Sequence, residues 1–237
     1  MPPIIALDFP DFDQAKQFLR QFSPSEELVV KIGMELVYAE GPQLMADIEA
    51  VHPAQVFLDL KLHDIPHTVE QAAFQLGRLG AAMTTVHAAG GSAMIQVAKR
   101  GLLAGAREAG KTAPKLLAVT QLTSTSQEML NNELQIPGTP AESVVHLAKL
   151  AAAAGADGVI ASPLEASLIR AAVGDDFLIV TPGIRPAGAA IGDQKRVTTP
   201  GDAKRLGSSA IVVGRPITQS ADPVAAYHAI AKEWSEA

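Results

Sequence analysis

The 237-residue chain is 48% hydrophobic and 19% charged, has a formal net charge of -6 and contains no cysteine. That composition supports a sizeable apolar core, excludes disulfide scaffolds and thiolate chemistry, and makes a poor nucleic-acid binder because no basic run offsets the acidic balance. The start "MPPIIALDFP" lacks a basic leader region and no apolar run approaches the ~20 residues that span a bilayer, so a cytoplasmic protein is expected.

Short apolar runs at residues 4–7, 28–32, 55–60, 83–87, 115–120, 158–161, 177–181 and 210–213 read as strands, separated by segments of helical period. In "FDQAKQFLRQF", Phe12, Ala15, Phe18, Leu19 and Phe22 share one side; in "HTVEQAAFQLGRLG", Val69, Ala72, Ala73, Leu76 and Leu79 do the same. Gly80, Gly110, Gly155 and Gly174 stand where helices should stop. Eight strands alternating with helices predict a (β/α)8 TIM barrel, for which ~250 residues is typical; a doubly wound open sheet is the alternative. No linker or composition shift divides the chain, so residues 1–237 are expected to form a single barrel domain. Two connections are longer than a barrel needs. Residues 124–140 follow the fifth strand and should hold a short helix. Residues 183–200, "GIRPAGAAIGDQKRVTTP", follow the seventh, carry Arg185, Gln194, Lys195 and Arg196, and read as a lid.

The third strand carries charges that a buried strand should avoid: "VFLDLKLHDI". Alternation puts Val56, Leu58, Leu60 and Leu62 on the face toward the helices, and Phe57, Asp59 and Lys61 on the face toward the barrel interior. The first strand ends "IIALDF", with Asp8, and the second "LVVKIG", with Lys31. Asp8, Lys31, Asp59 and Lys61 thus converge on the C-terminal mouth, where barrel enzymes place their chemistry. Two interleaved ammonium groups would keep two neighbouring carboxylates ionised. Ordinary salt bridging is the plain alternative, weakened by convergence from three strand ends. Asp64 lies beyond the strand, an odd number of residues from Asp59, and need not join this group within one subunit.

The eighth strand runs into "GRPIT". Gly214 lets backbone approach a ligand, and Arg215 offers a forked cation suited to phosphate, with Arg185 reaching the same region from the lid. The hydroxyls and Gln121 of "AVTQLTSTS", after the fifth strand, suit the edge of a heterocycle. His52, His146 and His228 read as surface residues, His63 as a strand cap and His87 as a packing residue at the mouth. Met34, Met45 and Met94 read as core or near-core.

Over essentially the whole chain, these motifs resemble the orotidine 5′-phosphate decarboxylase family in its short bacterial form. The signature D-x-K-x-x-D-I falls on Asp59, Lys61, Asp64 and Ile65, with Thr68 following. The family's strand-one aspartate falls on Asp8, its strand-two lysine on Lys31 and its base-recognition hydroxyl on Thr123. Its lid arginine and glutamine fall on Arg185 and Gln194, and its phosphate site on Gly214 and Arg215. His67 stands where that pattern has Asn. The resemblance implies decarboxylation of orotidine 5′-monophosphate to uridine 5′-monophosphate without metal or cofactor, the last step of de novo pyrimidine synthesis. Lys61 would be the proton donor, with Asp59, Lys31 and Asp64 completing the catalytic set. It further implies a homodimer in which Asp64, Ile65 and Thr68 enter the neighbouring subunit's site, a small-molecule nucleotide as substrate, and neither nucleic acid nor membrane as partner. Two rivals stand beside it. One is a magnesium-dependent sugar-phosphate enzyme on the same barrel, such as 3-keto-L-gulonate 6-phosphate decarboxylase, which shares D-x-K-x-x-D but has an acidic residue where Lys31 stands. The other is a non-catalytic nucleotide-binding barrel, which would not require so many buried charges.

Overall fold

The computed structural model describes residues 1–186 and 198–237. Eight parallel strands, β1 (Ile4–Ala6), β2 (Val29–Gly33), β3 (Gln55–Leu62), β4 (Met83–His87), β5 (Lys115–Val119), β6 (Gly158–Ile160), β7 (Leu178–Thr181) and β8 (Ala210–Val213), close into a barrel in chain order. Ile4 and Ile5 pair with Val212 and Val213, and that closure rules out the open-sheet alternative. The described helices are α1 (Phe12–Leu19), α2 (Met34–Glu40), α3 (Leu44–Val51), α4 (Pro66–Leu79), α5 (Gly91–Glu108), α6 (Pro140–Ala153), α7 (Ala166–Val173), α8 (Pro200–Arg205), α9 (Arg215–Thr218) and α10 (Pro223–Glu236). Strand ends fall close to the expected ones, except that β3 runs two residues further, to Leu62.

The two-residue strand period divides the core in two. Ile4, Ala6, Val29, Phe57, Met83, Leu117, Val180, Ala210 and Val212 fill the barrel. Ile5, Leu7, Val30, Ile32, Val56 and Leu58 face the helices. Ala6, Val29 and Phe57 point inward, so the inward positions two residues further along are Asp8, Lys31 and Asp59. An apolar plug below therefore delivers the charges to the top of the barrel.

Helix ends follow local chemistry. The Asp11 carboxylate accepts the Gln14 N–H at 2.9 Å to start α1, and Thr139 and Glu142 cap each other's backbone at the start of α6. Gly80 and Gly174 close α4 and α7 at φ 79° and 88°, as expected of them. Helices α4 and α5 approach to backbone contact. A Cβ on Gly77, Gly101 or Gly105 would collide with the carbonyls of Leu102, Glu70 and Phe74 respectively. Arg100 adds a forked pair with Glu70 across the same seam, at 2.6 and 2.9 Å. The seam fixes α4, and with it the exposed residues 63–68, which lead into the helix and form its first turn.

Two expectations fail here. His52 is not at the surface: it is 1% exposed and its Nε2 lies 2.9 Å from the Ser23 carbonyl, bridging the ends of α3 and α1. Met34 is 42% exposed rather than near-core, because it opens α2 at the end of β2.

Candidate active site

The regular pleat breaks where chemistry was expected. Leu58 pairs with Thr84, and the ladder resumes only at Leu62 with Val86, four steps on β3 against two on β4. Lys61 occupies the excess with φ of +52°, a left-handed backbone that costs a lysine about 1–2 kcal/mol. Leu60 and Leu62 still pack toward the helices and Lys61 still reaches Asp59. Simple alternation, however, is not what aims the lysine. Two adjacent threonines on β4 satisfy the backbone groups that the shifted ladder would strand. The Thr84 hydroxyl donates to the Leu58 carbonyl at 3.0 Å, and the Lys61 N–H donates to Thr85 Oγ1 at 2.8 Å.

Three strand ends bring four charges together in alternating order. Lys31 Nζ lies 3.1 Å from Asp8 Oδ1 and 3.8 Å from Asp59 Oδ2, and Lys61 Nζ lies 2.9 Å from Asp59 Oδ2. The Asp59 and Lys31 side chains are 12% and 13% exposed, against 62% for Asp8 at the rim. Gly33 and Gly214 border the group. A Cβ on either would come within 3.6 Å of Lys31 Nζ and Asp8 Oδ2 respectively, which places the start of the expected phosphate loop beside Asp8.

Arg215 opens α9 directly after β8 and is exposed. Arg185 follows β7 and is buried; its backbone N–H donates to the Thr198 carbonyl at 3.0 Å and its Nη1 to the Ile184 carbonyl at 2.8 Å. Thr123 sits half-buried in the loop after β5. Gln121, expected near a heterocycle, instead donates to Ser143 on α6 at 3.0 Å. A short helix with a widened turn at Met129–Glu133 fills the long connection after β5. Gln194, with Lys195 and Arg196, lies outside the described residues. Asp64, Ile65 and Thr68 are exposed and stand apart from the charged group; Asp64 accepts its neighbour Ile65's N–H at 2.6 Å.

His87, at the end of β4, stacks obliquely 5.5 Å from His63. Burial, then the charges of His63 and Lys61, hold its pKa below the usual histidine value, with Asp59 opposing. The imidazole beside the ammonium therefore gives up its proton more readily than an ordinary histidine. Among the described residues, no group of three or more His, Cys, Asp or Glu forms a metal-ligand set, and no helix is long and apolar enough to cross a membrane. Lys31 puts its ammonium between the two carboxylates that would otherwise attract a divalent cation. Sequence reasoning missed Thr84 and Thr85; "MTTVH" reads simply as good strand formers.

A profile of the orotidine 5′-phosphate decarboxylase / HUMPS family matches residues 1–230. The chain is 60% identical to the orotidine 5′-phosphate decarboxylase of Lactiplantibacillus plantarum over 99% of its own length and 98% of the relative's. It is 55% identical to that of Lactococcus lactis subsp. cremoris over the same shares. Among solved structures, orotidine 5′-phosphate decarboxylase from Lactobacillus acidophilus superposes with a TM-score of 0.88 at 50% identity, covering 98% of each chain. A Geobacillus kaustophilus protein described as an uncharacterized conserved protein gives 0.87 at 45% identity, covering 98% and 100%.

Proposed function

The chain belongs to the orotidine 5′-phosphate decarboxylase / HUMPS family, and we propose that it converts orotidine 5′-monophosphate to uridine 5′-monophosphate and CO2, with Lys61 as proton donor. The observation that carries this reading is the continuous chain Asp8–Lys31–Asp59–Lys61 at one barrel mouth. When the bond between C6 and the carboxylate breaks, its electron pair stays on C6 and CO2 departs. Lys61 Nζ stabilises that pair and delivers a proton to C6, to be reprotonated afterwards from solvent. Asp59 lies toward the departing carboxylate. Lys31 neutralises Asp59 and holds Asp8, so the group keeps its geometry before substrate arrives. Arg215 and the backbone at Gly214 grip the phosphate, Arg185 and Gln194 are further substrate-binding residues, and Thr123 meets the base. Grip on the remote phosphate favours closure and thereby the transition state.

The same proposal includes one barrel domain working in the cytoplasm as a homodimer, with Asp64, Ile65 and Thr68 completing the neighbouring subunit's site. Supporting the dimer, Ile65 is 66% exposed, Tyr38 is 78% exposed, and an apolar groove runs between α2, α3 and α4. The test is incubation of purified protein with orotidine 5′-monophosphate, with and without EDTA, following CO2 release. Release insensitive to the chelator is expected. No release refutes the reading, and release abolished by EDTA and restored by magnesium favours the metal-dependent rival.

A further inference from the structure

We propose that Thr85 is a positioning residue that locks the Asp59–Lys61 unit into its working geometry; the inference rests on the decarboxylase reading above. Thr85 is fully buried on β4, and its hydroxyl makes two contacts of different kinds. It accepts the backbone N–H of Lys61 at 2.8 Å and donates its own proton to Asp59 Oδ1 at 3.0 Å. Because the hydroxyl oxygen accepts from the Lys61 N–H and an ionised carboxylate can only accept, the hydroxyl proton is directed to Asp59.

Each contact removes a freedom that the site would otherwise have. Asp59 Oδ2 faces Lys61 and Lys31, so Thr85 on Oδ1 commits the second oxygen and fixes the carboxylate's rotation. Lys61 sits in a left-handed conformation at a break in the ladder, where β4 offers no regular backbone acceptor in register. The hydroxyl supplies that acceptor. One atom therefore couples the backbone of the proton donor to the side chain of its counter-charge, between strands. Thr84 performs only the backbone half of this task, for Leu58. Thr85 need not touch substrate to act: it sets where the ammonium and carboxylate stand when C6 arrives.

Thr85→Val keeps the volume and removes the hydroxyl. It is expected to lower kcat for orotidine 5′-monophosphate by about 10–100-fold, the worth of one hydrogen bond to a charged group (about 1.4–2.7 kcal/mol at about 1.36 kcal/mol per tenfold). KM should change by less than about threefold, because phosphate and base contacts are untouched. Thr85→Ser keeps the hydroxyl and should hold kcat within about fivefold of the parent. Should the valine variant fail to fold, Thr85→Ala against Thr85→Ser reads the same difference. Equal losses in the serine and valine variants, a loss confined to KM, or an unaffected valine variant would each overturn the inference. Wild-type protein without decarboxylase activity would instead overturn the functional reading and this inference with it.

Discussion

Replacing Lys61 by Ala separates catalysis from folding at one position. Its ammonium lies 2.9 Å from Asp59 and its side chain is only 26% exposed. A full charge about 4 Å from the pair developing on C6, at an effective dielectric of about 20, is worth about 4 kcal/mol, or about 10³-fold. Losing the proton donor removes a further 10²–10⁴-fold or so. Turnover at saturating orotidine 5′-monophosphate should therefore fall by about 10⁵–10⁷-fold, measured by CO2 release from enzyme made in a host without its own decarboxylase. The fold should survive. Asp59 keeps Lys31 at 3.8 Å and the Thr85 hydroxyl at 3.0 Å, so the cost should be about 1–3 kcal/mol, below that of orphaning a fully buried charge. At roughly 2–4 °C per kcal/mol, Tm drops by about 2–12 °C. Lys61→Gly should be equally inactive yet more stable than Lys61→Ala by up to about 1 kcal/mol, because glycine relieves the +52° backbone at a smaller entropic cost. An alanine variant retaining more than about 1% of turnover would refute the role given to the ammonium.

Arg215→Ala should raise KM and also lower kcat, since the phosphate grip drives closure; an unchanged kcat at saturation would remove that coupling. His87 binds its proton less readily when folded than the ordinary value of 6.5, so its contribution to stability is complete above pH 6.5 and is lost as pH falls below it. Tm against pH for His87→Asn should accordingly slope less than wild type just below pH 6.5, and identical slopes would contradict the burial argument. Gly105→Ala would press a methyl into the Phe74 carbonyl and prise α4 from α5. It should cost about 2–4 kcal/mol and about 4–16 °C in Tm by circular dichroism. An unshifted transition would show that the seam yields freely.

The charged mouth was legible because a barrel enforces period two. Ile4, Ala6 and Asp8 read as one inward row, as do Val29 with Lys31 and Phe57 with Asp59, and the structure brings those ends together. What resisted reading has a common cause: it depends on partners distant in sequence. A bulge usually advertises itself through glycine, but here the left-handed residue is Lys61, whose side chain is needed for chemistry. The compensation sits 24 residues away in Thr85. Gln121 pointed toward the site by position alone, yet Ser143 on α6 draws it off. The burial of His52 depends on Ser23, and the close approach of α4 to α5 on Gly77, Gly101 and Gly105 meeting across two helices.

The arrangement also limits how decarboxylation can be driven. Two carboxylates and two ammonium groups make the four-residue chain formally neutral, but it is not symmetric. Lys31 and Asp59 form its buried middle, and its two ends differ: Asp8 is a carboxylate at the exposed rim, Lys61 an ammonium only 26% exposed. In the proposed reaction, negative charge leaves the carboxylate beside Asp59 and appears on C6 beside Lys61. Repulsion from Asp59 at about 4 Å contributes about 4 kcal/mol, and attraction to Lys61 at similar range about as much again. Together they supply near 8 of the roughly 20 kcal/mol that large enzymatic accelerations require. Neither part survives a mobile carboxylate, which would swing from the substrate toward water. Asp59 is held at both oxygens, by Lys61 on one and Thr85 on the other. The field is therefore fixed before binding, and proton delivery from Lys61 together with energy from the phosphate grip has to account for the remainder.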